Sequence, residues 1–139
     1  MNRSMPRSVV IPVLIYPDVR DAVDWLCGAF GFAERLRIGT HRSQLSYGAG
    51  SIIVTGPDAQ QNPGAGSAPG FSLLVRVADV DSHFKRVKRF DARIVSPPAD
   101  FPYGERQYTV DDFGGYRWTF SQTMADVDPA EWGGTLFGE

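Results

Sequence analysis

Apolar residues in the first part of the chain follow two periodicities, and together these predict a series of secondary-structure elements. Residues 9–16 form a run of β-branched and apolar side chains, which is typical of a mostly buried strand. Between Val19 and Phe30 the apolar positions recur at helical spacing, with Asp18 placed to cap the helix and Gly31 placed to end it. Further strands are predicted at residues 34–38, 43–47 and 51–55. The predicted order is therefore β, α, β, β, β.

The second part of the chain repeats this order. Residues 71–77 predict another buried strand, and Asp79 is placed to cap a second amphipathic helix. Asp79 stands 61 residues after Asp18, and the same offset maps Val19 onto Val80. Strands are then predicted at residues 93–95, 106–110 and 116–121, with a longer loop at 96–105. An internal duplication is the simplest explanation of this repeat.

The chain is therefore predicted to be one α+β domain over residues 1–139, built from two tandem βαβββ modules. The modules cover about residues 8–56 and 71–122, joined by a linker at 57–70 and followed by a tail at 123–139. The linker is rich in Gly, Pro, Ala and Gln without periodicity, which is typical of an exposed connector. Two curved mixed sheets with helices outside make a cup, which suits a small ligand.

Composition and charge remove several classes of partner. The net charge of −2 gives no reason to expect nucleic acid or an anionic membrane surface as a partner. No apolar run approaches the length of a membrane helix, about 20 residues, and residues 1–6 lack the apolar segment of a secretory signal. The single cysteine, Cys27, cannot form an internal disulfide, and its place in a predicted helix favours an inert thiol over a nucleophile. We expect a cytoplasmic protein.

Three local patterns then point to a known family. They are DVxDA at residues 18–22 followed by AFGF at 29–32, DVD at 79–81, and YGER at 103–106 before TVDDFGGYRW at 109–118. Over residues 8–122 these patterns resemble the vicinal-oxygen-chelate superfamily, which includes glyoxalase I, extradiol dioxygenases and the fosfomycin- and bleomycin-resistance proteins. The resemblance implies a glyoxalase-like cup and a homodimer.

The chain departs from that family at the positions of the metal ligands. In metal-dependent members the ligands come from the first and last strand of each module, and the matching positions here are Ile11, Val54, Ser72 and Thr119. Divalent ions need imidazole or carboxylate donors, and the four strand segments that hold these residues contain no His, Asp or Glu. We therefore expect no metal and no other cofactor, and no source for the metal-bound water chemistry of the family.

Alternation along the strands predicts what lines the cup instead. Ile11, Val13 and Ile15 face it from the first strand, whereas Trp118 and Phe120 face a helix. The second module contributes Ser72, Leu74, Arg76, Arg117, Thr119 and Ser121. The two arginines can bind an anionic group, or each can instead pair with an acidic residue or point to solvent.

The loop before the penultimate strand completes the predicted ligand-binding set. Phe101 and Tyr103 either close over a ligand or form a separate apolar cluster, and Arg106 either contacts the ligand or supports the loop. The candidate ligand-binding residues are Ser72, Arg76, Phe101, Tyr103, Arg106, Arg117 and Thr119. No catalytic residue is identified, because His41 lies in a predicted turn and His83 borders an apolar helix face.

These observations favour metal-independent binding of a small amphipathic or anionic molecule. The alternative is a metal-dependent lyase, epimerase or dioxygenase of the same superfamily with non-standard ligands. A third possibility is an interaction module whose cup holds another protein. The apolar stretch at residues 132–137 is consistent with the pairing of two chains.

Overall fold

The computed structural model of the 139-residue chain describes residues 2–57 and 71–137. The chain divides into two compact units. The first unit is Met1–Phe71 with Gly114–Tyr116, and the second unit is Ser72–Phe113 with Arg117–Glu139. Most of the predicted linker lies outside the described residues.

The first unit contains one helix and one mixed sheet. The elements are β1 (Val13–Ile15), α1 (Val19–Trp25) continued by a π-helical turn (Leu26–Phe30), β2 (Ala33–Ile38), β3 (Arg42–Tyr47) and β4 (Gly50–Thr55). The strand order is β1-β4-β3-β2, with β1 parallel to β4 and the other pairs antiparallel. Asp18 caps α1 by accepting a hydrogen bond from the Asp21 N–H at 3.0 Å, and Gly31 ends the helical segment with a φ of 87°.

The second unit repeats this arrangement. The elements are β5 (Leu73–Arg76), α2 (Val80–Val87) continued by a 3-10 turn (Lys88–Phe90), β6 (Arg93–Asp100), β7 (Glu105–Asp111), β8 (Arg117–Thr123) and a 3-10 turn in the tail (Pro129–Trp132). The order β5-β8-β7-β6 and the strand directions match those of the first sheet. The predicted fold class and the duplicated βαβββ module are confirmed.

The predicted loop at residues 96–105 is too long. β6 continues to Asp100, although it contains Pro97 and Pro98 and its pairing with β7 is irregular around them. Prolines cannot donate a backbone hydrogen bond, and β6 tolerates them because it is an edge strand. The true turn is confined to the residues between Asp100 and Glu105.

The core of each unit lies between its helix and one face of its sheet. In the first unit Leu14, Leu45 and Val54 are fully buried on that face, under α1. In the second unit Trp118 and Phe120 are fully buried, with their rings parallel and 6.1 Å apart. The Trp118 indole N–H donates to Asp112 at 3.0 Å, which satisfies its polar atom inside the core. The predicted core role of Trp118 is thus confirmed.

Candidate ligand-binding face

Each sheet has a second face, which its own helix does not cover, and we call this its open face. In the second unit, strand alternation separates the two faces, because Trp118, Phe120, Tyr108 and Val110 are all buried on the helix side. The intervening residues form the second open face. They are Leu74 and Arg76 on β5, Arg117, Thr119 and Ser121 on β8, and Glu105, Gln107, Thr109 and Asp111 on β7.

A chain of hydrogen bonds crosses the second open face. The Tyr103 hydroxyl donates to Gln107 at 3.2 Å, and the Gln107 amide donates to the Ser121 hydroxyl at 3.0 Å. The Ser121 hydroxyl in turn donates to a Glu105 carboxylate oxygen at 2.6 Å. Because each of these three donor groups has an acceptor, the hydrogen bonds hold the side chains in place relative to one another.

Glu105 supplies a fixed negative charge at the end of this chain. Hydrogen bonds from Ser121 and Thr123, together with the charge of Arg76, hold the pKa of the Glu105 carboxyl below its usual range. Burial opposes this shift without reversing it. Glu105 is therefore ionised at neutral pH, and a carboxylate can only accept hydrogen bonds.

The two arginines of the second open face differ in their partners. Arg117 makes a two-pronged ion pair with Asp111, with nitrogen–oxygen distances of 2.8 and 3.1 Å. Arg76 is exposed, and within residues 2–57 and 71–137 its guanidinium has no hydrogen-bond partner. The charge of Arg76 attracts the Glu105 carboxylate. Arg76 is therefore the cation of this face that can offer its full set of donors to a ligand.

Arg106 lies on the other side of the sheet. It is in phase with Tyr108 and Val110 on β7, and it pairs with Asp81 of α2 at 3.0 Å and with Asp100 of β6 at 3.1 Å. The expectation that Arg106 binds a ligand in the cup is therefore corrected: it ties the helix to the sheet edge. The strand phase that places Arg106 there also places Glu105 and Gln107 on the second open face. That phase was the signal that would have identified those two residues in the sequence.

Phe101 and Tyr103 lie in the turn between β6 and β7. Their rings are stacked 5.6 Å apart, and the Trp132 ring packs edge-on against Tyr103 at 5.5 Å. The two residues therefore form the aromatic cluster that was one of the two sequence expectations, and the Tyr103 hydroxyl also joins the hydrogen-bond chain of the second open face. That they close over a ligand stays a prediction. Phe101 keeps 39% of its surface exposed at this border.

The C-terminal tail is fixed to the same turn through Gly104. The Gly104 carbonyl accepts hydrogen bonds from the N–H groups of Met124 at 2.7 Å and Ala125 at 3.2 Å. Gly104 has a φ of +86°, and a Cβ atom on it would lie 2.2 Å from the Ala125 carbonyl oxygen. Only glycine allows both this backbone conformation and this close approach.

The remaining predicted residues lie on or beside the same face. Thr119 shares a hydrogen bond of 2.9 Å with Thr109, and Ser72 is an exposed residue just before β5. The structure thus brings Arg76, Arg117 and Thr119 together, with Tyr103 and Phe101 at the border.

The open face of the first unit has a different lining. Val13 pairs with Ile53, and Ile15 pairs with Thr55, so these four residues share the first open face. Val54 is instead fully buried on the helix side, paired with Leu14. The sequence expectation for Val54 was therefore wrong by one residue, and Ile53 occupies the position that corresponds to Thr119.

Comparison with known proteins assigns the family. Residues 9–120 match the Glyoxalase/Bleomycin resistance protein/Dioxygenase superfamily. The chain belongs to this superfamily. TioX from Micromonospora sp. ML1 is 37% identical in a match covering 84% of this chain and 98% of that one, with a TM-score of 0.67.

More distant relatives share the fold. The fosfomycin resistance protein FosX from Listeria monocytogenes is 16% identical over 85% of this chain and 94% of that one, with a TM-score of 0.65. An uncharacterized protein of Mycobacterium tuberculosis (strain ATCC 25618 / H37Rv) is 28% identical over 86% of this chain and 77% of its own length. The predicted superfamily is thus confirmed.

The positions that hold metal ligands in this superfamily carry unsuitable donors here. With the corrected register they are Ile11 and Ile53 in the first unit and Ser72 and Thr119 in the second. Aliphatic side chains and neutral hydroxyls do not make a site for a divalent ion. Across residues 2–57 and 71–137, no three or more His, Cys, Asp or Glu side chains are grouped so that they could hold a metal. The residues present therefore do not fit the metal ion of the superfamily.

Other reactive groups lie elsewhere and are packed or isolated. His83 is buried, with its ring hydrogen-bonded to the Tyr108 hydroxyl and 4.1 Å from the Phe120 ring, so its predicted packing role is confirmed. His41 is exposed and lies in the turn between β2 and β3, as predicted. Burial raises the pKa of the Cys27 thiol, which makes it a weak nucleophile. Within the described part of the chain, no helix is long and apolar enough to cross a membrane.

Proposed function

We propose that the chain binds a small molecule on the second open face without the help of a metal ion. The observation that carries this proposal is the contrast between Arg76 and its neighbours. The other polar side chains of the face are tied to one another, whereas the Arg76 guanidinium is exposed and has no hydrogen-bond partner in the described residues. A fixed polar surface with one available cation favours a ligand that brings the missing anion.

The neighbouring groups narrow the chemistry of this ligand. Leu74 is 67% exposed and Phe101 is 39% exposed, and both offer apolar contact. Glu105 is ionised and electrostatically coupled to Arg76, so it repels a ligand that carries several negative charges. An amphipathic molecule with one carboxylate and an apolar body fits this face better than a phosphate does. A hydroxyl or N–H group on the same ligand can donate to Glu105.

Binding measurements on a matched pair of variants test the proposal. Hexanoate, benzoate and indole-3-acetate, with their uncharged amides as controls, are screened by thermal shift and then by calorimetry. For the carboxylate that binds best, we expect Arg76→Gln to weaken affinity by about ten-fold or more, because a charge-assisted hydrogen bond is lost. Arg117→Gln should change affinity less than two-fold. Equal losses in the two variants, or equal binding of acid and amide, would refute the proposal.

Metal content separates this proposal from the alternative of a lyase, epimerase or dioxygenase with non-standard ligands. Protein purified without a chelator is analysed for zinc, nickel, manganese and iron. We expect far less than one metal ion per chain, because the ligand positions hold Ile11, Ile53, Ser72 and Thr119. A stoichiometric metal that chelators remove together with ligand binding would favour the enzyme instead.

We also propose that the chain forms a homodimer in the cytoplasm. Val9 is 97% exposed and Phe137 is 89% exposed, and burying such residues between two copies removes apolar surface from water. Light scattering should give twice the chain mass of 15.3 kDa. A mass equal to that of one chain would refute the dimer, and cell fractionation tests the location.

A further inference from the structure

Residues 2–8 cover part of the first open face, around Arg35 and Gln44, whereas Val13 on the same face keeps 49% of its surface exposed. Two side chains of the sheet hold the backbone of these residues. The Arg35 guanidinium donates to the carbonyl of Arg3 at 2.8 Å, and the Gln44 amide donates to the carbonyl of Ser4 at 2.8 Å. Arg35 also donates to the Gln44 carbonyl oxygen. Two side chains that orient each other therefore bind two successive backbone carbonyls.

The burial of Gln44 shows that this contact is built into the face. Gln44 lies on the first open face, because it pairs with Ile53, yet only 3% of its surface is exposed. A buried amide is costly unless both its oxygen and its nitrogen find partners. The oxygen has Arg35, and the nitrogen has the carbonyl of Ser4. Without residues 2–8 the nitrogen would lose this partner.

Further anchors follow along the segment. Pro6 is buried, and the Ser8 hydroxyl lies 2.7 Å from the Ala49 carbonyl, to which it donates, and 2.9 Å from the Ser51 hydroxyl. A partly open cavity of about 430 Å³ is bordered by Pro6 and Ser8 of the segment and by Arg35 and Ser51 of the sheet. The segment therefore borders open space along part of its length.

The contacts define the kind of ligand that this face accepts. Main-chain carbonyls are bound at Arg3 and Ser4, whereas Met5 keeps 44% of its surface exposed. Pro6 is the side chain of the segment that is buried. Residues 2–5 form a turn, because the Met5 N–H donates to the Asn2 carbonyl at 3.2 Å. Such a face recognises a peptide that presents two successive carbonyls at a turn and a proline two residues further on.

We propose that the first open face is a peptide-binding groove which residues 2–8 occupy in cis, and that their displacement opens the groove to a peptide of the same pattern. This inference concerns a different unit from the proposed ligand site and does not depend on it. A tethered segment has a local concentration in the millimolar range, so it competes strongly with a free peptide. A free peptide therefore binds well only after the tethered segment has been removed.

Binding in trans tests the groove directly. The probe is a fluorescein-labelled peptide with the sequence of residues 2–8, and the protein is a variant that lacks residues 2–7. Fluorescence anisotropy should show saturable binding, at least ten-fold tighter than to the full chain, whose groove is occupied. A peptide with Pro6→Gly and the truncated protein with Gln44→Ala should each bind at least five-fold more weakly. Equal binding to the truncated and full chains, or no binding to a truncated protein with native circular dichroism, would overturn the proposal.

A second measurement uses the full chain and does not depend on how well the truncated variant folds. Trypsin cleaves after Arg3 and Arg7, and a segment held in the groove resists cleavage. We expect Gln44→Leu to speed cleavage at these two sites at least five-fold, as followed by mass spectrometry, while cleavage after Arg89 keeps its wild-type rate. Unchanged cleavage after Arg3 and Arg7 in this variant would contradict the proposed anchoring.

Discussion

The two open faces differ strongly although the two sheets have the same strand order and pairing. The position held by Ile15 in the first sheet is held by Arg76 in the second, and Ile53 corresponds to Thr119. On the helix sides, by contrast, both sheets bury apolar residues such as Val54 and Phe120. The helix side of the repeated module therefore maintains the fold, while the open face can change its chemistry without changing the fold.

The polar groups of the two faces are also used differently. On the first open face, Arg35 and Gln44 donate hydrogen bonds to the backbone of residues 2–8. On the second face, Gln107 and Ser121 bond to neighbouring side chains and leave Arg76 available. The first open face thus contacts residues 2–8 of its own chain, whereas the second open face presents an exposed cation.

The largest effect on stability is expected for a turn glycine of the second unit, Gly104, compared with a turn glycine of the first unit, Gly48. Gly104→Ala should lower the free energy of unfolding by about 2–4 kcal/mol. The new Cβ would clash with the Ala125 carbonyl, and the left-handed backbone conformation would strain any residue other than glycine. Gly48→Ala is the matched control, since its φ is +55° but a Cβ there meets nothing within 4 Å. It should cost about 1–2 kcal/mol. Urea unfolding measures both, and equal losses would show that the tail contact adds nothing.

A smaller effect, which depends on pH, is expected when a carboxylate on the helix side of a sheet is compared with a carboxylate on an open face. Glu34 accepts from Arg20 at 2.7 Å, from Arg37 at 2.9 Å and from Ser43 at 2.6 Å, and these bonds hold its pKa far below the usual range. Glu34→Gln should therefore cost about 1–2 kcal/mol at pH 7. A lowered pKa stabilises the fold above the ordinary carboxyl pKa, about 4.3, and this contribution disappears as the pH falls below it.

The matched variant for this pH comparison is Glu105→Gln. The pKa of Glu105 is also lowered, but its partners are the hydroxyls of Ser121 and Thr123 rather than two arginines, so its loss should be smaller. Unfolding midpoints measured from pH 7 to pH 3 should show the wild type converging on Glu34→Gln more than on Glu105→Gln. The reverse order would contradict the assignment of the stronger ion-pair network to the first unit.

The smallest expected effects concern the two paired arginines of the second unit. Arg117→Gln removes a salt bridge whose arginine side chain is 51% exposed, so the unfolding midpoint should barely change. Arg106→Gln removes pairs with both Asp81 and Asp100 and should lower the midpoint somewhat more. High salt should reduce the difference between the two variants. A larger loss for Arg117→Gln would contradict the placement of Arg106 on the helix side of the second sheet and of Arg117 on its open face.

The sequence was sufficient to predict the fold because its signals are local. Asp18 and Asp79 cap the helices from within one turn, and the strand runs are visible as apolar stretches. The errors occurred where local signals do not decide the outcome. Val54 and Ile53 are both apolar, so only the observed pairing with β1 shows which of them faces the helix.

The candidate site was predictable only in part for the same reason. The side of the sheet on which Arg76 and Thr119 lie followed from alternation, because β5 and β8 pair without irregularity. Arg106 was included among the ligand-binding candidates because of the family motif, whereas the phase of β7 puts it on the helix side, where it pairs with Asp81 and Asp100. The covering of the first face by residues 2–8 had no signal at all, since its contacts join residues about 30 to 40 positions apart in the chain.

The two consecutive prolines of β6 have a consequence for the protein at high concentration. Pro97 and Pro98 interrupt the outer edge of the second sheet, where the strand would otherwise present backbone donors to any neighbour. A strand from another molecule cannot extend the sheet there with a continuous ladder of hydrogen bonds. Strands of other molecules therefore cannot extend the sheet at this edge, and concentrated samples should not form cross-β aggregates by pairing there.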